Sequence, residues 1–357
     1  MIEQVATAFA SQDYRTAAKL IKQLLKQSPE NLWVQFYLGQ LQEVSGKHQD
    51  AEKMYMQLLR STNNLKILAQ AREGMQRLQD IKQAETQQVI TQAKFQSGNT
   101  EIGVLVLEPV SGETKTQVAD KFAQIMHIDP YTAISVIPNK GWRIYRSAGM
   151  EELQFYGKQL KNAGIPCFWV NLSDIRNITV FQVCYFTESV NQGNVVCRNA
   201  LNQIGILNFD WAEVEQRVLG LIPIFEEGLD FNIRGKLERT TKIENYIHFC
   251  DLHLPSRSCI LRIYDHGYEF QQGAILAPLN TQSTMKINWN NLLEWLEKYL
   301  PPGRVWSEFA IFTETILGET EVLHKIPSNM YLFDQEKPKW DPVFHLYSGL
   351  AFKRNMS

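Results

Sequence analysis

The feature that most constrains this chain is a sequence echo at a fixed distance. Gln23–Lys26 reads QLLK and Gln57–Arg60, 34 residues later, reads QLLR. At the same offset Ala17 returns as Ala51, and Pro29 stands opposite Asn63. A period of that length means that a whole supersecondary unit recurs. The composition of this stretch says which kind. Residues 1–100 hold 17 Gln, but only 7 of the 39 aromatic residues and one of the eight Trp, a helix-forming mixture. Helices are predicted over 2–11, 14–28, 31–44 and 48–61. A fifth starts after Asn64 and runs to about Lys94, with Leu68, Ala71, Met75 and Leu78 on one face. The apolar stripe fades beyond Lys82, and 96–100 reads as a linker. Two helix hairpins rarely bury a continuous core alone. The fifth helix must cap them, or another chain or domain must cover the open face.

These residues, with Tyr37-Leu38-Gly39 followed by Gly46, Ala51 and Tyr55, resemble the tetratricopeptide repeat. Paired helices approach closely only where side chains are short, and Gly39, Ala51 and Ala17 supply such positions. The first unit departs from the pattern at Val5, opposite Gly39. The resemblance implies a concave partner-binding face lined by the first helix of each pair. Here that face holds Ile2, Ala6 and Phe9, then Trp33, Phe36, Gln40 and Val44. Phe9, Trp33, Phe36, Gln40 and Val44 are therefore the expected partner-binding residues, since aromatic side chains anchor interfaces. Phe36 and Gln40 stand where the family's carboxylate-clamp subtype has Lys and Asn, so a clamped C-terminal ligand is not expected. In the alternative, Trp33 and Phe36 simply pack on the next domain.

Residues 101–172 read as a small α/β module. Gly103–Pro109, Trp142–Ser147 and Pro166–Leu172 have strand character. Helices are expected around Val118–Met126, from Asp129-Pro130 onward, and over Met150–Ala163, closed by Gly164. The order is β-α-α-β-α-β. With the runs QVADKFAQIM, DPYTAISVIPNKGWRIYR and EELQFYGKQLKNAGIPCFWV, it resembles the C-terminal domain of the ribosomal stalk protein and the related Clp-protease adaptor fold. The resemblance implies a fold and not a function.

Further on, ITVFQVCYF reads as a buried strand and AEVEQRVLGL as a helix. IHFCDLHLP, CILRIYD and YEFQQG suggest a three-strand meander. WNNLLEWLEKYLPP is a clear helix stopped by Pro301-Pro302. DPVFHLYSGLAFKR is apolar enough to dock. Phrases of this half resemble stretches of cyanobacterial tetratricopeptide proteins, which implies no activity. The expected fold class is α+β multidomain: helical hairpins over 1–95, a linker at 96–100, the α/β module over 101–175, and a mixed domain with antiparallel strands over 176–357.

With 36 basic and 38 acidic side chains the net charge is −2. The first hundred residues carry +3 (12 against 9) and the remainder −5 (24 against 29). Neither imbalance supports binding to nucleic acid or an anionic membrane. The longest apolar run, Val218–Phe225, is broken by Gly220 and Pro223, far short of the roughly 18 residues of a membrane span. No secretory leader is expected at MIEQVATAFASQDYR. The five cysteines are scattered and never spaced CxxC, which suits a reducing cytoplasm.

No P-loop, GxGxxG, HExxH, GxSxG or EF-hand motif occurs, and no cofactor or metal is called for. One polar constellation stands out: Cys250, Asp251, His253, Cys259, Asp265 and His266. It contains the residue types of a zinc site or of an acid/base pair. Period-two alternation, however, puts Cys250 and His253 on opposite faces of a strand. Core cysteines with turn Asp and His are the simpler reading. Glu226 and Glu227, before Gly228, read as a solvated turn. Trp142, Trp169 and Trp211 read as core, since no basic stripe accompanies them. The function expected is a non-enzymatic scaffold or adaptor with a protein partner. The alternatives are a ligand-sensing regulatory module and a metal-dependent hydrolase built on the 250–266 strands.

Overall fold

The computed structural model describes residues 1–97, 101–188, 192–231, 237–276, 284–316, 319–329 and 340–354. The chain falls into two compact units, Met1–Gly98 and Asn99–Ser357. N-terminal helical repeats are followed by a unit with mixed antiparallel and parallel sheets, an α+β multidomain protein.

The first unit is α1 (Ile2–Ala10), α2 (Tyr14–Gln27), α3 (Leu32–Val44), α4 (His48–Ser61) and α5 (Leu65–Ser97). Its 34-residue period is a period of geometry. Ser11 N–H donates to the Thr7 carbonyl at 2.9 Å and Asp13 N–H to Ala8 at 2.9 Å. At an offset of 34, Ser45 N–H donates to Leu41 at 3.0 Å and Lys47 N–H to Gln42 at 2.9 Å. Each turn pivots on a left-handed residue, Gln12 at φ 58° and Gly46 at φ 75°. Asp13 caps α2 through Thr16 N–H at 3.1 Å, and Asn31 caps α3 through Trp33 N–H at 3.0 Å. Ala17 and Ala51 are fully buried, where short side chains let the helices close.

A third turn of this kind would fall near Asp80, but α5 runs on through it. This helix closes the second hairpin. Ile67, Ala71 and Leu78 join Phe36, Ala51, Tyr55 and Leu58 in one core. The Tyr55 ring sits there because Gly39 and Gly74 leave room; a Cβ at Gly74 would lie 2.5 Å from it. Tyr55 Oη donates to Glu43 at 2.6 Å, and Arg77 grips the same carboxylate at 2.7 and 3.0 Å. One residue from each of α4, α3 and α5 is thereby tied together. Of the expected linker, 96 and 97 close α5, and 98–100 lie outside the described residues.

The second unit begins with β1 (Ile102–Leu107), α6 (Thr114–Met126), α7 (Pro130–Val136), β2 (Arg143–Gly149), α8 (Met150–Asn162) and β3 (Cys167–Asn171). This is the β-α-α-β-α-β order read from the sequence. The strands form an antiparallel sheet ordered β2-β1-β3. Next come α9 (Leu172–Arg176), β4 (Thr179–Phe186), β5 (Gly193–Arg198), β6 (Ile204–Phe209), β7 (Gln216–Phe231), β8 (Leu237–Leu254) and β9 (Cys259–Tyr264). Then follow α10 (Met285–Tyr299), β10 (Arg304–Trp306), α11 (Phe309–Ile316), α12 (Thr320–Leu323) and α13 (Trp340–Arg354). Seven strands form a second sheet ordered β10-β7-β8-β9-β4-β5-β6. The β10/β7 and β4/β9 pairs are parallel and the others antiparallel.

Helix α13 joins the two sheets. It is buried from Trp340 to Phe352, as an apolar helix without a wet face must be. Its Phe344, Tyr347 and Leu350 share one core with Val104 and Val170 of the first sheet and with Val218 and Phe249 of the second. The boundary expected at 175 therefore falls inside a shared core. Helix α10 covers the other face of the large sheet, placing Trp289, Leu292 and Leu296 against Cys250, Leu252 and Leu261.

Three local readings are corrected. AEVEQRVLGL is not helical: a 3-10 turn at Trp211–Glu213 leads into β7. Gln216, Val218, Gly220 and Ile222 are buried while Leu221 is exposed, a period of two that the i, i+4 pair Val214/Val218 disguised. Glu226 and Glu227 are likewise strand residues, opposite Lys242 and Thr241. YEFQQG forms turns, and Tyr268 Oη accepts the Phe186 N–H at 3.2 Å.

Gln12 carries a side chain in a conformation that favours glycine by about 1 kcal/mol. Gln12→Gly should raise the stability of the helical unit by about 0.5–1 kcal/mol in urea unfolding. Gly46→Gln should lower it by a similar amount. A loss of stability in Gln12→Gly would contradict the turn geometry.

Candidate partner-binding surface

The Asn31 cap fixes where α3 begins, and that sets which residues line up. Trp33, Tyr37, Gln40 and Val44 follow at i, i+4, i+7 and i+11, one face of a helix. Trp33 and Gln40 are half-buried and Val44 is 48% exposed. Phe9 reaches this row from α1. Its ring stacks on Tyr37 with centroids 5.5 Å apart, and Trp33 lies 6.2 Å from Tyr37 on the other side. Tyr14 closes the end of the row with an edge contact to Phe9 at 6.0 Å. The result is a strip of half-exposed rings drawn from α1, α2 and α3, continued along α3 by a carboxamide and a valine.

Of the five residues expected to bind a partner, Phe9, Trp33, Gln40 and Val44 belong to this strip. Phe36 does not. It is 2% exposed and sits in the core with Ala51, Tyr55 and Ala71. One residue along a helix turns the side chain by about 100°, so Phe36 faces α4 and α5 while Tyr37 stays on the strip. Tyr37 is the member that the sequence reading missed, although its i+4 spacing from Trp33 was available. It packs against both clusters of the unit, and burial pushes its hydroxyl pKa up. The strip offers apolar contact and amide hydrogen bonding, with no acid or base to do chemistry.

The 250–266 constellation divides by face. Cys250 and Cys259 join the α10 core; burial pushes their thiols up to about 12 and about 11. Asp251, His253 and Arg262 face α13 instead and are fully buried. There the hydrogen bonds run in one direction. Trp306 Nε1 donates to Gln216 Oε1 at 2.8 Å. Gln216 Nε2 lies 3.0 Å from His253 Nδ1, and His253 Nε2 lies 2.9 Å from Ser348 Oγ. Ser348 Oγ donates to Asp251 Oδ2 at 2.5 Å. Arg262 grips Asp251 at 2.9 and 2.8 Å and reaches Asp341 at 3.4 Å. This network assigns the His253 proton to Nε2. Serine, histidine and carboxylate are thus neighbours, but the serine lies between the other two and none has exposed surface. The arrangement braces a core and offers a substrate no approach.

Asp265, 2% exposed, holds two histidines at the rim of the sheet. His248 Nδ1 lies 2.8 Å from one carboxylate oxygen and His266 Nδ1 2.6 Å from the other. Among the described residues, no group of three or more His, Cys, Asp or Glu is placed to hold a metal ion. Trp142 and Trp211 are buried, and Trp169 lies under Lys161 at 4.7 Å.

Burial, helped by repulsion from Arg262, pushes both His253 and His345 down to about 3. Unfolded imidazoles protonate near 6.5. Below that pH the unfolded chain takes up protons that the fold refuses. Stability from these groups is therefore complete above pH 6.5 and is lost as pH falls toward 3. Thermal unfolding from pH 7.5 down to 5 should show a falling midpoint. The His345→Leu variant should fall less steeply, and an equal slope would exclude His345 as a cause.

Among the described residues, no helix is long and apolar enough to cross a membrane. No curated protein and no solved structure matches the chain. Residues 8–72, which run from the end of α1 through α2, α3 and α4 into the start of α5 and take in the aromatic strip from Phe9 onward, match the tetratricopeptide repeat.

Proposed function

We propose that the protein is a non-enzymatic scaffold or adaptor that holds a partner polypeptide along the strip formed by α1 and α3. Tetratricopeptide repeats generally mediate protein–protein interaction, and residues 8–72 match that repeat. The observation that carries the reading is the half-exposed row Phe9–Tyr37–Trp33, extended by Gln40 and Val44. Rings fixed on packed helices offer a large contact area with little rotamer entropy to lose. The partner segment is apolar rather than charged, because the nearby Glu43 is already neutralised by Arg77. Recognition of a terminal carboxylate does not fit, since Phe36 is core and Gln40 brings no charge.

The setting we propose is the cytoplasm, in an assembly or regulatory role; five buried free cysteines suit a reducing compartment. The likeness of residues 101–175 to the stalk-protein domain and the protease adaptor fold enters as a proposal about fold alone, supported by the β-α-α-β-α-β order.

Random peptides displayed and panned on the full chain should enrich apolar sequences. Gln40→Lys combined with Val44→Lys should weaken the best peptide by about tenfold or more, equivalent to about 1.4 kcal/mol, with thermal stability unchanged. Equal affinity in the double variant would remove the strip as the binding surface.

A further inference from the structure

Among the described residues the large sheet ends on β6, and no strand pairs with its outer edge. Ile204 is 64% exposed and Ile206 72%, and Leu201, in the preceding turn, is 77% exposed. Asn199 N–H donates to the Gln203 carbonyl at 3.1 Å, which sets the alternation of the β5/β6 ladder. Gly205 and Leu207 turn their main-chain groups toward β5. Ile204, Ile206 and Asn208 turn theirs outward. Arg257 Nη1 donates to the Asn208 carbonyl at 2.8 Å, so the open stretch is Ile204-Gly205-Ile206. Sheet edges are ordinarily blunted by a charge, a proline or a bulge. From Leu201 to Phe209 there is no charged residue and no proline, and the β5/β6 register runs without a shift.

We propose that β6 pairs antiparallel with β6 of a second copy of this chain, about a two-fold axis at Gly205, joining two seven-stranded sheets into one. The occupant follows from the edge itself. A neutral strand meets no like charge in its own copy, and it offers a charged partner no counter-charge. With the axis at Gly205, the N–H and C=O of Ile204 exchange hydrogen bonds with those of Ile206 in the other copy, and the reverse. The capped Asn208 carbonyl is left out of the new ladder, whereas an axis at Ile206 would require it. Ile204 and Ile206 share one face of the sheet, so the two copies cover each other's exposed side chains. At the axis the chains approach to about 4.5 Å between Cα atoms. Gly205 suits that approach, with open space where a Cβ would stand. The contact is short, so the dimer belongs to the weak, reversible class.

All five native cysteines are buried, so an introduced thiol can be read alone. Under mild oxidation Gly205→Cys should form a covalent dimer, whereas Asn208→Cys, far from its own copy in this pairing, should not. In sedimentation equilibrium the unmodified chain should self-associate in the micromolar range. Ile206→Lys, with an unchanged circular dichroism spectrum, should sediment as a monomer. Failure of Gly205→Cys to cross-link, equal cross-linking of both variants, or a dimer that survives Ile206→Lys would each overturn the pairing. A chain that stays monomeric at every concentration would also overturn it, leaving the edge to a strand of another protein or to solvent.

Discussion

A guanidinium with no exposed surface is tolerated only when its charge is answered on every side, and Arg262 sets that condition for the second unit. Asp251 answers it in register from the neighbouring strand, Asp341 from α13, and the Phe344 ring from beneath at 4.9 Å. Ser348, His253, Gln216 and Trp306 pass the hydrogen bonding on to β7 and β10. A buried ion pair adds little net stability over an apolar core, but a partner removed leaves a charge stranded at a cost of roughly 3–5 kcal/mol. Such a network specifies which arrangement is allowed. A shift of β8 against β9 by one residue would turn Asp251 away from Arg262 and onto the α10 face. A misplaced α13 would leave the Asp251 carboxylate without its serine.

The helical unit follows a different logic, because its contacts are local and repetitive. The two turns reproduce each other hydrogen bond for hydrogen bond at an offset of 34 residues, and the Tyr55 ring closes the stack where two glycines make space. The turns, caps and cores described for that unit close among residues 1–97. This is why its element boundaries were readable from QLLK/QLLR, Ala17/Ala51 and the caps at Asp13 and Asn31.

What remained unreadable was set by partners distant in sequence. The pair Val214/Val218 has helical spacing, and only a neighbouring strand at Asp251 makes residue 218 a strand position. Val104 and Leu350, almost 250 residues apart, belong to one core that bridges residue 175. On the candidate surface, periodicity could group Phe36 with Trp33 but could not say which column of α3 the fifth helix would cover. Phe36 went under α5, and Tyr37 took its place in the open. The face alternation of Cys250 and His253 was legible, since period two needs no knowledge of partners. That His253 would touch a serine 95 positions later was not.

The dependence of both sheets on α13 has a bearing on how the protein is made. Strand β1 leaves the ribosome long before the helix that completes its inner face. At translation rates of about 5–20 residues per second, the roughly 250 intervening residues take on the order of 12–50 s. Throughout that interval Val104, Val106, Phe168 and Val170 line an unfinished sheet face, the kind of surface that nascent-chain chaperones shield. The helical repeats, whose turns and cores close within residues 1–97, leave the ribosome first. A growing chain of this protein therefore carries its helical repeats complete while the second unit still waits for its last structural piece.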